Sequence, residues 1–152
     1  MKKPDLSTRI ETWKSYLGLT PEEICARLGL KSLKINHDER YGNLSGMDEL
    51  WKTGKTPGHF YFANGVCALI YIEDVGGELD DIQLKDLQDL LGEAEASLGS
   101  RAGKTNHTYV YPDQGLAFSA SRSAVDYLEI FPVTTLEDYQ SRYYTKPSPF
   151  VR

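Results

Sequence analysis

Cysteine is nearly missing from this chain, at two residues in 152, and histidine appears only three times. Two cysteines make no disulfide framework, and Cys25 and Cys67 each sit in an apolar stretch where a reducing compartment keeps them as thiols. Such surroundings also speak against a Cys–His nucleophile, because a reactive thiolate needs an accessible, electropositive setting. His37, His59 and His107 form no close pair of the His-x-x-x-His kind. A metal centre needs three or four converging ligands, so neither a metal nor a cofactor is expected.

No apolar run approaches the ~18 residues that cross a membrane. Lys2 and Lys3 are followed by Pro4, Asp5, Ser7, Thr8 and Arg9 instead of an apolar segment, so no secretory leader is read and the expected location is the cytoplasm. A basic surplus is lacking too. The net charge of −5 and a pI near 5.2 argue against nucleic acid as a partner, since its binders usually carry a basic stripe.

Motifs of catalysis are equally scarce. There is no Gly-x-Ser-x-Gly elbow. Gly103-Lys104-Thr105 and Gly54-Lys55-Thr56 resemble the end of a phosphate-binding loop, but Leu98 and Glu49 stand where its first glycine belongs. The acidic run of Glu73, Asp74, Glu78, Asp80 and Asp81 lacks the alternating ligands of a calcium loop. Placed before a helix, it favours that helix's positive end.

What is present is ordinary globular material, 40% hydrophobic and 26% charged, which predicts a single domain over residues 1–152. Ser7 to Leu17 carries Ile10, Trp13 and Leu17 at helical spacing, with Gly18 as its stop. Thr20, Pro21 and Glu23 form a capping box for a second helix that ends at Gly29. Residues Lys31 to Gly58 read as a long loop, with a short strand at Leu33 and Ile35 and a helical turn from Met47 to Trp51.

The clearest local pattern follows. His59 to Ala63 meets Asn64-Gly65 and returns as Val66 to Ile72, and Asn-Gly is the favoured pair for a type I′ hairpin turn. The returning strand is apolar on both faces, which predicts a central strand covered on both sides. A helix from about Asp81 to Leu91 then leads through a polar loop with Gly99, Gly103 and Asn106 to a second hairpin. That hairpin runs from His107 to Tyr111, turns at Pro112 to Gly115 and returns as Leu116 to Ser119. A strand from Val125 to Phe131, a helix opened by Thr134 and Glu137, and an extended tail at Lys146 to Pro149 complete the chain. The fold class is therefore α+β, an antiparallel sheet with helices on one face. Two diverged helix-plus-hairpin repeats, over 20–75 and 81–131, precede the final helix and tail at 134–152.

The run Leu87 to Glu95, the hairpin Tyr109 to Phe118 and the strand Val125 to Phe131 resemble the helix plus three-stranded sheet of the β-lactamase-inhibitor-protein superfamily. That group also includes small outer-membrane assembly lipoproteins. This chain departs from it in lacking a signal peptide, a lipoprotein cysteine and a disulfide framework. The resemblance implies a concave sheet that binds another protein and carries over no catalytic residue.

Ten tyrosines are the strongest functional lead. A four-residue turn at Ser121 to Ala124 would set Phe118 beside Tyr127, giving one sheet face with Tyr109, Tyr111, Phe118 and Tyr127. Tyrosine offers a large apolar contact with a polar tip, and that face is the expected binding surface unless it is core. A one-residue bulge would swap the face of the last strand. The leading reading is a non-enzymatic module that binds a protein partner, as an inhibitor, immunity-type or adaptor protein. The alternative is a small-molecule-binding or enzymatic domain with its site between the sheet and residues 31–58. Neither the partner's identity nor the oligomeric state is readable.

Overall fold

The computed structural model describes residues 5–30, 36–37, 41, 44–47, 58–73, 79–100 and 102–144. The chain is α+β with antiparallel strands and divides into two compact units, Met1–Tyr71 and Ile72–Arg152.

The first unit opens with α1 (Leu6–Lys14), capped by the Asp5 carboxylate, which accepts from the Thr8 amide at 2.8 Å. Ile10 and Trp13 are its buried side. The helix ends three residues before the expected Leu17, and the chain then turns to meet β4 (Val66–Glu73). Gly18 donates to the Cys67 carbonyl at 2.9 Å, and the Cys67 amide donates to Leu19 at 2.7 Å. Helix α2 (Pro21–Leu28) has the predicted box: Glu23 donates its amide to the Thr20 hydroxyl and accepts from the Thr20 amide. Gly29 closes it at a φ of 73°. Arg27 then binds the Ser15 carbonyl and hydroxyl and lies over the Tyr16 ring, which packs on Phe60.

Strands β1 (Asn36–His37), β2 (Ser45–Met47), β3 (Gly58–Ala63) and β4 lie in that spatial order. Met47 belongs to β2, where it pairs with Phe60, so the helical turn expected to start there does not. Its remaining residues, with the strand expected at Leu33 and Ile35, lie outside the described residues. Asn64 and Gly65 take φ values of 53° and 83°, the two positive values that a type I′ turn requires. Cys67 through Ile72 are all buried along β4, as a strand covered on both faces must be.

In the second unit α3 (Leu84–Leu91) starts later than expected, where Asp86 accepts from the Gln83 amide at 2.9 Å. Strands β5 (Ala96–Ser100), β6 (Gly103–Tyr111), β7 (Leu116–Ser121) and β8 (Ala124–Ile130) then run antiparallel in sequence order, with β5 at the outer end. The polar loop expected before His107 is thus a strand and the first half of another. Its small and polar residues carry little strand preference, and pairing with neighbours decides their conformation. Helix α4 (Leu136–Arg142) is capped by Thr135, one residue past the expected Thr134; Thr134 bonds Asp138 instead. The expected tail at Lys146 to Pro149 lies outside the described residues.

The two hairpins expected to be copies turn differently. Asn64-Gly65 is a two-residue turn, whereas β6 and β7 are joined by a 3-10 turn at Pro112–Gln114 and by Gly115 at a φ of 67°.

Candidate functional site

The aromatic row of β6 and β7 forms as the alternation predicts. Tyr109 pairs with Phe118 and Tyr111 with Leu116. Tyr109 and Tyr111 both stack on the Phe118 ring, at 5.2 and 5.9 Å between centroids. The last strand differs from the expectation. Leu128, not Tyr127, stands opposite Phe118, and Tyr127 pairs with Ser119 on the other face. The cause is a bulge: Ser119 opposes Tyr127 and Ala120 opposes Val125, leaving Asp126 as the extra residue.

Exposure then separates the four aromatic residues. Phe118 is 0% exposed, Tyr111 1% and Tyr127 4%, while Tyr109 is half-buried. Three of the side chains expected to meet a partner are therefore packed inside the protein. Burial first, and the neighbouring Tyr109 second, raise the pKa of the Tyr111 hydroxyl. It stays protonated at neutral pH and donates to the Gly92 carbonyl at the end of α3, at 2.9 Å.

The bulge gives Asp126 a use. Its carboxylate accepts from Ser119 at 2.8 Å and from Asn106 at 2.5 Å, and the Ser119 hydroxyl shares a 2.5 Å bond with Ser100. Ser100 and Ser119 are buried, so this chain satisfies hydroxyls that would otherwise be stranded in the core. It holds together the irregular positions of β5, β7 and β8. Among the described residues no three His, Cys, Asp or Glu side chains gather as a metal site would need.

The remaining candidates separate as follows. His59 is buried with its ring 5.8 Å from Tyr71, and His107 is exposed beside Tyr109. Both cysteines are buried. Burial pushes the Cys67 thiol up to about 12, outweighing its backbone hydrogen bonds, so it is no nucleophile at neutral pH. Gly103-Lys104-Thr105 lies in β6, without the helix that a phosphate loop requires. An open cleft of about 250 Å³ is lined by Leu79, Asp80, Ile82, Gln83 and Val125 among others. Most of residues 31–58, the other wall of the alternative site, lie outside the described residues.

One corner of the second unit combines exposure with unspent binding capacity. Strand β5 ends the spatial order, and its outer neighbour position is not filled by any strand among the described residues. Its sequence, Ala96-Ser97-Leu98-Gly99-Ser100, has no charge and no proline. Ser97 and Gly99 are exposed and lie on the same face as Tyr109 and His107, their direct partners in β6. Tyr109, which pairs with Ser97, is half-buried. The sequence did hold a faint sign of β5 in the alternation of Ala96 and Leu98 with Ser97 and Gly99.

Comparison with family models, curated proteins and solved structures finds no match to this chain.

Proposed function

We propose that the protein is a non-enzymatic binding module that takes up an extended segment of a partner protein along the outer edge of β5. The observation that carries this reading is the edge itself: five uncharged residues at the end of the sheet order, beside a half-exposed tyrosine. Backbone groups of alternate residues in an antiparallel strand point the same way. The Gly99 carbonyl accepts from the Tyr144 hydroxyl at 2.8 Å, so the Ser97 amide and carbonyl face the side from which Tyr144 comes. A partner strand bonds to those groups and sets an apolar side chain over Ser97 and against Tyr109. Strand addition of this kind draws affinity from the main chain and specificity from alternate side chains.

The aromatic face contributes through Tyr109 alone, with Tyr111, Phe118 and Tyr127 as the packing beneath and behind it. The resemblance to the β-lactamase-inhibitor-protein superfamily supports the same reading, since sheets of that group bind other proteins. An adaptor or an inhibitor needs nothing further from this chain.

A capped, fluorescent peptide with the sequence of residues 105–111 is a suitable probe, because its residues His107 to Val110 already pair with β5 on its inner side. Saturable binding by the native chain, lost in Ser97→Pro with the melting temperature unchanged, is the expected result. Proline removes one outward amide and spares the ladder to β6. Equal binding by Ser97→Pro, or no saturable binding by the native chain, overturns the reading.

A further inference from the structure

An uncharged edge strand invites pairing with any passing chain, and proteins commonly blunt such edges with lysine, proline, bulges or a covering segment. Strand β5 has no lysine or proline of its own. Its cover comes from the end of α4. The Tyr139 hydroxyl donates to the buried Glu129 carboxylate of β8 at 2.6 Å, which fixes α4 on the sheet. The amides of Tyr143 and Tyr144 both donate to the Tyr139 carbonyl, at 2.9 and 3.0 Å, closing the helix end. From this anchored position Tyr144 reaches the Gly99 carbonyl. Burial first, and Tyr127 second, raise the Tyr144 pKa, so the hydroxyl is a donor at neutral pH.

We propose that Tyr144 is a latch on the β5 edge: its hydroxyl holds the Gly99 carbonyl that an incoming strand must use, and its ring occupies the lane beside that strand. The inference rests on the strand-addition reading. Binding then has two steps. The Tyr144 hydroxyl leaves Gly99, and the partner's amide replaces it on the same oxygen. The hydrogen bond is solvent-exposed, so its release costs little in water, and the edge is guarded without being closed. The arrangement selects for partners that offer several backbone hydrogen bonds at once, since a single contact gains nothing over the tyrosine it displaces.

The test measures anisotropy of the same 105–111 peptide with the native chain, Tyr144→Phe, Tyr144→Ala and Ser97→Pro. Circular dichroism checks that each variant is folded. Tyr144→Phe keeps the ring and removes the donor, and the expected gain in affinity is roughly 2- to 10-fold, the worth of one modest hydrogen bond. Tyr144→Ala clears the lane as well and binds at least as tightly as Tyr144→Phe. Affinities for both variants equal to or weaker than the native value overturn the latch, while loss of binding in Ser97→Pro leaves strand addition standing. Absence of saturable binding to every protein overturns strand addition and the latch with it.

Discussion

Replacing Gly115 by alanine tests the register of the second unit at its most crowded point. Gly115 follows the 3-10 turn at a φ of 67°, where an L residue costs about 1–2 kcal/mol in backbone strain. A methyl group there also strikes the Phe131 carbonyl oxygen and approaches the Val133 amide to 3.4 Å. Both neighbours are backbone, so no side-chain rotation relieves the contact. The end of β8 must move away, which weakens the 3.0 Å bond from the Phe131 amide to the Gly115 carbonyl and forfeits about 0.5–1.5 kcal/mol. The total is roughly 1.5–3.5 kcal/mol for Gly115→Ala, summing strain and the lost bond. Gly65→Ala is the comparison: its φ is 83°, nothing lies within 4 Å of an added methyl, and strain alone predicts about 1–2 kcal/mol. With a urea slope of ~2 kcal/mol per molar, Gly115→Ala lowers the midpoint by about 0.75–1.75 M at an unchanged slope. A shift no larger than that of Gly65→Ala would refute the placement of Phe131 over the turn.

Three further outcomes follow from the same geometry. Tyr127→Ala empties a buried site on the face opposite Phe118 and should cost about 3–5 kcal/mol on a thermal melt; an unchanged melt would put that ring in solvent. Asp126→Ala removes the acceptor of Ser119 and Asn106, and urea denaturation should show a loss of about 1–3 kcal/mol, with Asp126→Asn milder. The Cys67 thiol is raised from 9.0 to about 12 by folding, so the unfolded chain releases this proton first. Its contribution to stability is complete below pH 9 and is lost as pH rises towards 12. Wild type should therefore lose more stability than Cys67→Ala between pH 9 and 11, and parallel losses would contradict the assignment.

How far the sequence foretells this structure depends on whether a feature is local. The α2 capping box at Thr20 and Glu23 and the turn at Asn64-Gly65 are set by residues within a few positions of one another, and both are legible. The same holds for the stacking of Tyr109 on Phe118, which needs only the hairpin register. Strand β5 is hard to read because Ala96-Ser97-Leu98-Gly99-Ser100 has no strong preference and becomes a strand through its pairing with β6. The side on which Tyr127 lands depends on one extra residue. Nothing adjacent to Asp126 announces the bulge; its reason lies in Ser119, Asn106 and Ser100, seven to 26 positions away. The candidate site is the part least legible. It consists of backbone groups on β5 and of Tyr144, whose partner Gly99 stands 45 residues earlier.

Amide hydrogen exchange of Ser97, Leu98 and Gly99, followed by NMR with and without the 105–111 peptide, tests the central claim most directly. The account predicts fast exchange at Ser97 and slow exchange at Leu98 in the isolated chain, because alternate amides face outward and towards β6. Added peptide should then slow Ser97 and Gly99 and shift the Tyr109 ring signals. A Ser97 amide already protected in the isolated chain, or peptide-induced changes confined to other parts of the protein, would contradict it.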